Sequence, residues 1–213
     1  MKRFAFLLLL AIPVAAQQNR ADDRRLSERA HQDRTIVYFL QQPETHSFDL
    51  YHDYTESRPG VDRYLNVVRT GSNASKPAAR VLDTGETLRV ETVKADDLLK
   101  AGLHPGETAE ELPAGSEVVV AHFPPVPEGG SVRLRISETY TDPKSYRLDG
   151  DELVFDRSFG RPRDAVVLPA GWYLTASSIP AMISETADGR IRLDFVNPRN
   201  DEIDVLIKAR RRP

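Results

Sequence analysis

Short runs in which apolar and polar residues alternate recur along most of the chain and predict β-strands. Val132, Leu134 and Ile136 alternate with polar neighbours, and the same period of two continues over 190–196 and 203–209. Alternation is typical of a strand with one buried and one solvated face. We expect ten or eleven strands, because some of the segments with this character should merge or fail. These segments are 35–40, 46–55, 61–69, 78–83, 86–93, 117–122, 131–140, 144–148, 152–156, 165–168, 172–177, 181–186, 190–196 and 203–209.

The turn residues agree with this strand pattern. Asp-Gly pairs at 149–150 and 188–189 stand between β-prone segments, and Asp-Gly suits the positive backbone angles of a two-residue hairpin. One short helix is predicted over 95–101, with acidic residues in its first turn and Gly102 placed to end it.

Many short strands with Gly and Pro turns and almost no helix indicate an all-β protein. We expect an antiparallel β-sandwich of the immunoglobulin-like kind over 35–213. The Pro-rich segment 124–130 is a candidate internal seam. It either joins two sub-halves or crosses from one sheet to the other. One extended sandwich is favoured, because about 90 residues per half would leave each core small.

The N-terminus has the pattern of a signal peptide. Lys2 and Arg3 precede an apolar run over 4–16 that ends in small residues before Gln17. This run is shorter than the roughly 20 residues that cross a bilayer as a helix. We therefore expect a signal peptide over 1–16 that is cleaved near Ala16, and export to the periplasm or beyond. We do not expect an integral membrane protein.

Composition narrows the chemistry further. The 213 residues include no cysteine, which excludes disulfides, a thiolate nucleophile and Cys-ligated metals. Loss of Lys2 and Arg3 leaves 27 basic and 32 acidic residues, a net charge of −5, so nothing favours nucleic acid as a partner.

Residues 17–34 are almost wholly polar and predict a charged arm, flexible or helical, with Leu26 as its one large apolar residue. Such an arm is either solvated or a partner-binding element.

Searches for catalytic and metal-binding patterns give no site. Residues 83–85 read Asp-Thr-Gly, as in the active-site loop of aspartic proteases. However, the bulky Glu86 follows where that pattern has a small residue, and a hairpin turn explains the triplet. No HExxH motif and no G-x-S-x-G motif occurs, and the acidic residues around 149–156 fit no calcium loop. One hydrolase alternative stays open, an acid pair of Glu138 and Asp142, which would need a separation of about 5–10 Å and a cleft.

Aromatic residues on several predicted strands are the candidate ligand-binding residues. If they share an outer face, they would form a platform for sugar rings or a peptide; the alternative is that they belong to the core. The candidates are Tyr51, Tyr54, Tyr64, Trp172 and Tyr173.

Two segments resemble a known group of proteins. THSFDLYHDYT (45–55) resembles the first strand of the N-terminal β-domain of gluzincin zinc aminopeptidases, and VVLPAGWYLTASSIP (166–180) is similar to the LPxGW segment of the related glycyl aminopeptidases. In those families the zinc ligands lie in a following helical domain. The resemblance therefore implies a free-standing β-domain, and no catalytic residue of the family has a counterpart here.

These observations favour an exported, non-enzymatic β-sandwich that binds a protein, a peptide or an envelope component through strand edges or loops. A carbohydrate-binding module is the first alternative, and a hydrolase with an unrecognised acid pair is the second. No cofactor and no metal is implied.

Overall fold

A computed structural model describes residues 33–69, 71–102 and 115–212. The predicted signal peptide and the predicted charged arm up to residue 32 lie outside the described residues, while Arg34, at the end of that arm, already belongs to the first strand. Within these ranges the elements are a 3-10 turn at Pro43–Thr45, one helix, α1 (Ala95–Lys100), and fourteen strands. The strands are β1 (Arg34–Leu40), β2 (Ser47–Glu56), β3 (Arg63–Val67), β4 (Asn73–Val81), β5 (Thr87–Lys94), β6 (Glu117–His122), β7 (Val132–Thr141), β8 (Tyr146–Asp149), β9 (Glu152–Phe159), β10 (Arg163–Val167), β11 (Trp172–Ser177), β12 (Met182–Glu185), β13 (Ile191–Val196) and β14 (Ile203–Arg211).

Each of the fourteen predicted segments forms a strand of its own, so the expectation that some would merge or fail is wrong. Both Asp-Gly hairpins are confirmed: Gly150 and Gly189 turn with φ of 62° and 78° and connect β8 to β9 and β12 to β13. Helix α1 is also confirmed. It has acidic residues in its first turn, and Gly102 follows it with φ of 74°.

The strands form two sheets. One has ten strands in the order β12-β13-β10-β1-β2-β7-β4-β5-β6-β3, and the other has four in the order β11-β14-β9-β8. The predicted all-β, sandwich-like fold is confirmed with one difference. The β1–β10 pair is parallel, with Ile36 opposite Asp164, whereas the other pairs described are antiparallel.

The four-stranded sheet covers part of the inner face of the larger sheet. Rings from both sheets meet there, and Tyr38 of β1 stacks on Phe159 of β9 with centroids 5.3 Å apart. A second apolar cluster contains Tyr54 of β2 and Tyr64 of β3, whose centroids are 5.5 Å apart. Four strands separate β2 from β3 in the sheet, so this contact shows that the larger sheet curls back on itself.

The Pro-rich segment 124–130 connects β6 to β7. Both strands belong to the ten-stranded sheet, so the interpretation in which this segment crosses between the two sheets is wrong. In the part of the chain that the structure describes, no helix has the length and apolar character to cross a bilayer.

Candidate functional site

Two of the five candidate aromatic residues lie inside the curled part of the larger sheet. Tyr54 and Tyr64 are 6% and 5% exposed, and the guanidinium carbon of Arg34 lies 4.5 and 5.0 Å from their ring centroids. Burial, followed by a hydrogen bond to Glu56, raises the pKa of Tyr54 to about 12. These rings are core residues around a buried cation.

The other three candidates do not share one face: Tyr51 lies on the larger sheet, and Trp172 and Tyr173 are neighbours on β11 of the smaller sheet. Tyr51 lies on the opposite face of β2 from Tyr54, where the guanidinium carbon of Arg135 is 3.8 Å from its ring centroid. Trp172 is buried in the smaller sheet, and its Nε1 donates to Oε1 of Gln42 at 2.9 Å. Tyr173 is exposed. The structure therefore does not bring the five rings together on one exposed face.

Glu138 and Asp142 of the proposed acid pair are each 3% exposed. Asn66 donates to both carboxylate oxygens of Glu138 at 3.0 and 2.9 Å, and burial raises the pKa of Glu138 to about 7. Asp142 accepts hydrogen bonds from Ser145 at 2.7 Å and from Arg157 at 3.1 Å. Although burial alone would raise the pKa of Asp142, these hydrogen bonds hold it below its usual range. Both carboxyls are engaged in internal hydrogen bonds.

The Asp-Thr-Gly triplet is a turn, as predicted. It connects β4 to β5, with Gly85 at φ of 76° donating to the Val81 carbonyl at 2.9 Å. Asp83 forms an ion pair with Arg133 at 3.0 Å on the surface. Within the described ranges, no group of three or more His, Asp and Glu side chains could hold a metal ion.

The surface feature that sequence reasoning missed lies at the free edge of the larger sheet. Strand β12 is the terminal strand of that sheet and pairs only with β13. Met182 and Ile183 are 72% and 58% exposed, and Val196 on β13, diagonal to Met182, is 71% exposed. These are three of the five large apolar residues that the described chain exposes. We call the segment Ala181–Glu185, together with Val196, the β12 edge.

Hydrogen bonds around β13 show which backbone groups of the β12 edge are free to pair. The amide of Thr186 donates to the Arg190 carbonyl, and the amide of Leu168 on the β10 side donates to the Ile191 carbonyl, both at 2.9 Å. Since Ile191 pairs with β10, the residue opposite it, Glu185, directs its backbone groups away from β13. Because backbone groups alternate in direction along a strand, the amide and carbonyl of Ile183, two residues before Glu185, also point to the free edge.

The aliphatic core reaches the surface beside this edge. Ile179, Ala181 and Ile191 are partly buried residues packed against the main core, and so is Leu174 of β11. Strand β11 is itself a terminal strand of the smaller sheet and contacts β13. Both sheets therefore end on the same side of the sandwich, where the core is only partly covered.

The molecule is thus an open all-β sandwich with an exposed apolar edge strand. No known protein family matches the chain, and no curated protein matches it. Solved structures do. An aminopeptidase N family protein from Idiomarina loihiensis matches with 11% identity and a TM-score of 0.45, over 82% of this chain and 29% of that one. An M1 zinc metallopeptidase from Deinococcus radiodurans matches with 14% identity and a TM-score of 0.47, over 85% of this chain and 42% of that one.

The predicted resemblance to the N-terminal domain of the aminopeptidases is confirmed. The likeness concerns the fold. The chain spans less than half the length of the proteins that it matches.

Proposed function

We propose that this chain is a non-enzymatic binding protein that adds an extended segment of a partner polypeptide to its β12 edge. The observation that carries the proposal is the exposure of Met182, Ile183 and Val196 at the terminal strand of the larger sheet and its neighbour. A free edge offers backbone donors and acceptors that an extended chain can pair with, while side-chain contacts provide selectivity.

Ile183 combines free backbone groups with an exposed apolar side chain. Ile183 directs its amide and carbonyl toward the edge, and its side chain lies on the inner face of the sheet, opposite Leu193. An added strand would thus form hydrogen bonds with the backbone of Ile183. Its residue opposite Ile183 would place a side chain over the partly exposed core. Covering one such side chain contributes about 1.5–3 kcal/mol.

Glu185 decides between a second copy of this chain and a different partner. Its side chain shares the inner face with Ile183. If β12 paired with its own copy about a twofold axis, each register would place Glu185 opposite Ile183, opposite Ala181 or opposite the other Glu185. All three are unfavourable, because like charges or a charge against an apolar residue destabilise a cross-strand pair. The edge instead suits a partner with an apolar residue opposite Ile183 and a basic residue opposite Glu185.

Peptides of seven residues test this assignment. In the first pair, valine and threonine alternate, and one valine is replaced by lysine. The lysine lies near the N-terminus in one peptide and near the C-terminus in the other, because the direction in which the peptide pairs with β12 is open. The control pair carries glutamate instead of lysine. In titration calorimetry the lysine peptides should bind about fivefold more tightly, since a cross-strand charge pair contributes up to about 1 kcal/mol.

Variants of the chain complete the test. Glu185→Lys should reverse the preference between the two peptide pairs, and Ile183→Lys should abolish binding. Leu99→Lys is the matched control, because Leu99 is an exposed apolar residue on α1, remote in sequence from the edge, and it should leave binding unchanged. Equal binding by wild type and Ile183→Lys would contradict the proposal. A dimer in light scattering that Ile183→Lys dissolves would assign the edge to a second copy instead.

We further propose that the protein acts outside the cytoplasm after removal of residues 1–16. The support is the short apolar run that follows Lys2 and Arg3. Mass spectrometry of the protein purified from its native host should give a mature N-terminus at Gln17, and an intact N-terminus at Met1 would contradict export by this route.

A further inference from the structure

Four buried polar side chains lie on the facing inner surfaces of the two sheets, near Ile36 and Tyr38 of β1. Ile36 lies opposite His52 of β2 on one side and opposite Asp164 of β10 on the other. Arg34 precedes Ile36 by two residues and so shares its face. From the facing sheet, the guanidinium carbon of Arg157 lies 5.7 Å from the ring of Tyr38, two residues after Ile36. We call this set the inter-sheet polar cluster: Arg34, His52, Arg157 and Asp164.

Each member of the cluster holds a buried polar atom without a hydrogen-bond partner in the protein. These atoms are Nε of Arg34, Nδ1 of His52, Nε of Arg157 and Oδ1 of Asp164. The four residues are 5%, 9%, 8% and 3% exposed, respectively. Buried polar atoms are nearly always paired, so four exceptions on these facing surfaces point to a partner that is not part of the chain.

The charges of the cluster decide what kind of partner fits. Arg157 is neutralised by Asp142 at 3.1 Å. Arg34 has no carboxylate partner among the ion pairs of the described residues and packs against two tyrosine rings. Burial, together with the charges of Arg34, Arg161 and Arg157, keeps the pKa of His52 well below its usual value, so the imidazole is neutral at pH 7.

Asp164 does not supply the missing negative charge at neutral pH. Burial raises the pKa of its carboxyl to about 8, against the opposing effect of Arg161 and Arg157. The carboxyl therefore carries a proton at pH 7 and can donate a hydrogen bond. The cluster then presents two guanidinium N–H donors, a neutral ring that can donate, and the positive charge of Arg34, and the buried guanidinium of Arg161 also acts on His52 and Asp164.

We propose that the inter-sheet polar cluster binds a small inorganic anion of the size of chloride. The Nε–H groups of Arg34 and Arg157 and the ring of His52 donate hydrogen bonds to it. A buried water molecule could accept some of these hydrogen bonds but would leave Arg34 without a counter-charge. An anion supplies both the hydrogen-bond acceptor and the counter-charge. Because the surrounding interior is closely packed with aromatic rings, the site suits a monatomic ion rather than an organic ligand.

Crystals of the protein grown or soaked in sodium bromide provide the direct test. Bromide replaces chloride and scatters anomalously, so an anomalous peak is expected between Nε of Arg34, Nε of Arg157 and the imidazole of His52. Density at this position without an anomalous signal would identify water and overturn the proposal. This measurement needs no variant and holds even if substitutions in the cluster impair folding.

Thermal unfolding tests the site in solution. Replacing gluconate by chloride at constant ionic strength should raise the midpoint of the wild-type protein by about 5 °C, with saturation. Arg34→Met should lose this dependence. Arg199→Met is the matched control, because Arg199 forms a surface ion pair with Asp201, and it should respond to chloride like the wild type. An equal response in Arg34→Met, or no response in the wild type, would overturn the proposal.

Discussion

Glu138 is a carboxyl that folding moves from water into the protein interior. Its side chain is 3% exposed, and its hydrogen bonds come from the neutral side chains of Asn66 and Tyr140. Burial without a cationic partner raises its pKa to about 7, whereas the unfolded chain has a value near 4.3. Between about pH 4.3 and pH 7, the folded state therefore holds the proton more tightly than the unfolded state does.

Protonation of Glu138 should make folding stability depend on pH in a defined direction. The stability is fully present below about pH 4.3 and falls as pH rises toward 7, because the folded protein must then bury a carboxylate. Between pH 5 and pH 8 the loss from this residue is roughly 2–3 kcal/mol. Urea unfolding of Glu138→Gln should show a pH dependence that is smaller by that amount.

Glu117→Gln is a suitable control for this measurement. Glu117 forms a surface ion pair with Lys94 at 2.9 Å, and exposed pairs contribute little to stability. The control should keep the full pH dependence of the wild type. If Glu138→Gln also kept it, Glu138 would not be the titrating group.

Part of this residue-level organisation was present in the sequence. Tyr51 and Tyr54 are three residues apart on a strand, and the period of two already places them on opposite faces. That spacing could have excluded a shared platform. The pairing of Glu138 with Asn66 could not be predicted, because it depends on how far the larger sheet curls to bring β3 near β7, and alternation does not report curvature.

At the level of elements, local signals predicted the individual strands and the two Asp-Gly hairpin pairs, but not how the other strands pair. Alternation and turn residues gave all fourteen segments, including the short edge strand β12. They did not reveal the parallel pairing of β1 with β10, since alternation states which face a residue occupies and not which strand lies beside it. The β12 edge was missed for the same reason, because an edge is defined by the absence of a neighbour.

The connection from β6 to β7 depends on a close approach that only glycine allows. A Cβ atom on Gly130 would lie 2.6 Å from Cγ of Pro127, while a Cβ on Gly129 would meet nothing within 4 Å. Gly130→Ala should lower the free energy of unfolding by about 1–3 kcal/mol through this clash. Gly129→Ala should cost only about 1 kcal/mol, through its φ of 69°. Urea unfolding would contradict this account if the order of the two variants were reversed.

At the level of the whole molecule, one apolar cluster holds the two sheets together. It contains residues of β1, β2, β10 and β13 from the larger sheet and of β9, β11 and β14 from the smaller sheet. Trp172, the single tryptophan, lies in this cluster and bonds to Gln42 next to β1. Its fluorescence therefore reports the contact between the sheets.

We expect the two sheets to unfold together. Urea transitions followed by Trp172 fluorescence and by far-ultraviolet circular dichroism should coincide, as for a two-state domain. Gln42→Ala should lower both midpoints equally, because it leaves the Trp172 N–H buried without an acceptor at a cost of about 1–3 kcal/mol. A fluorescence transition that precedes the loss of secondary structure would contradict this coupling.

The positions of β1 and β14 have a consequence for biosynthesis. The first described strand lies between β10 and β2, and the last described strand lies between β11 and β9. The smaller sheet thus lacks a central member until the segment ending at Arg211 has emerged from the ribosome. Until then, β9 and β11 lack the strand that pairs with both of them.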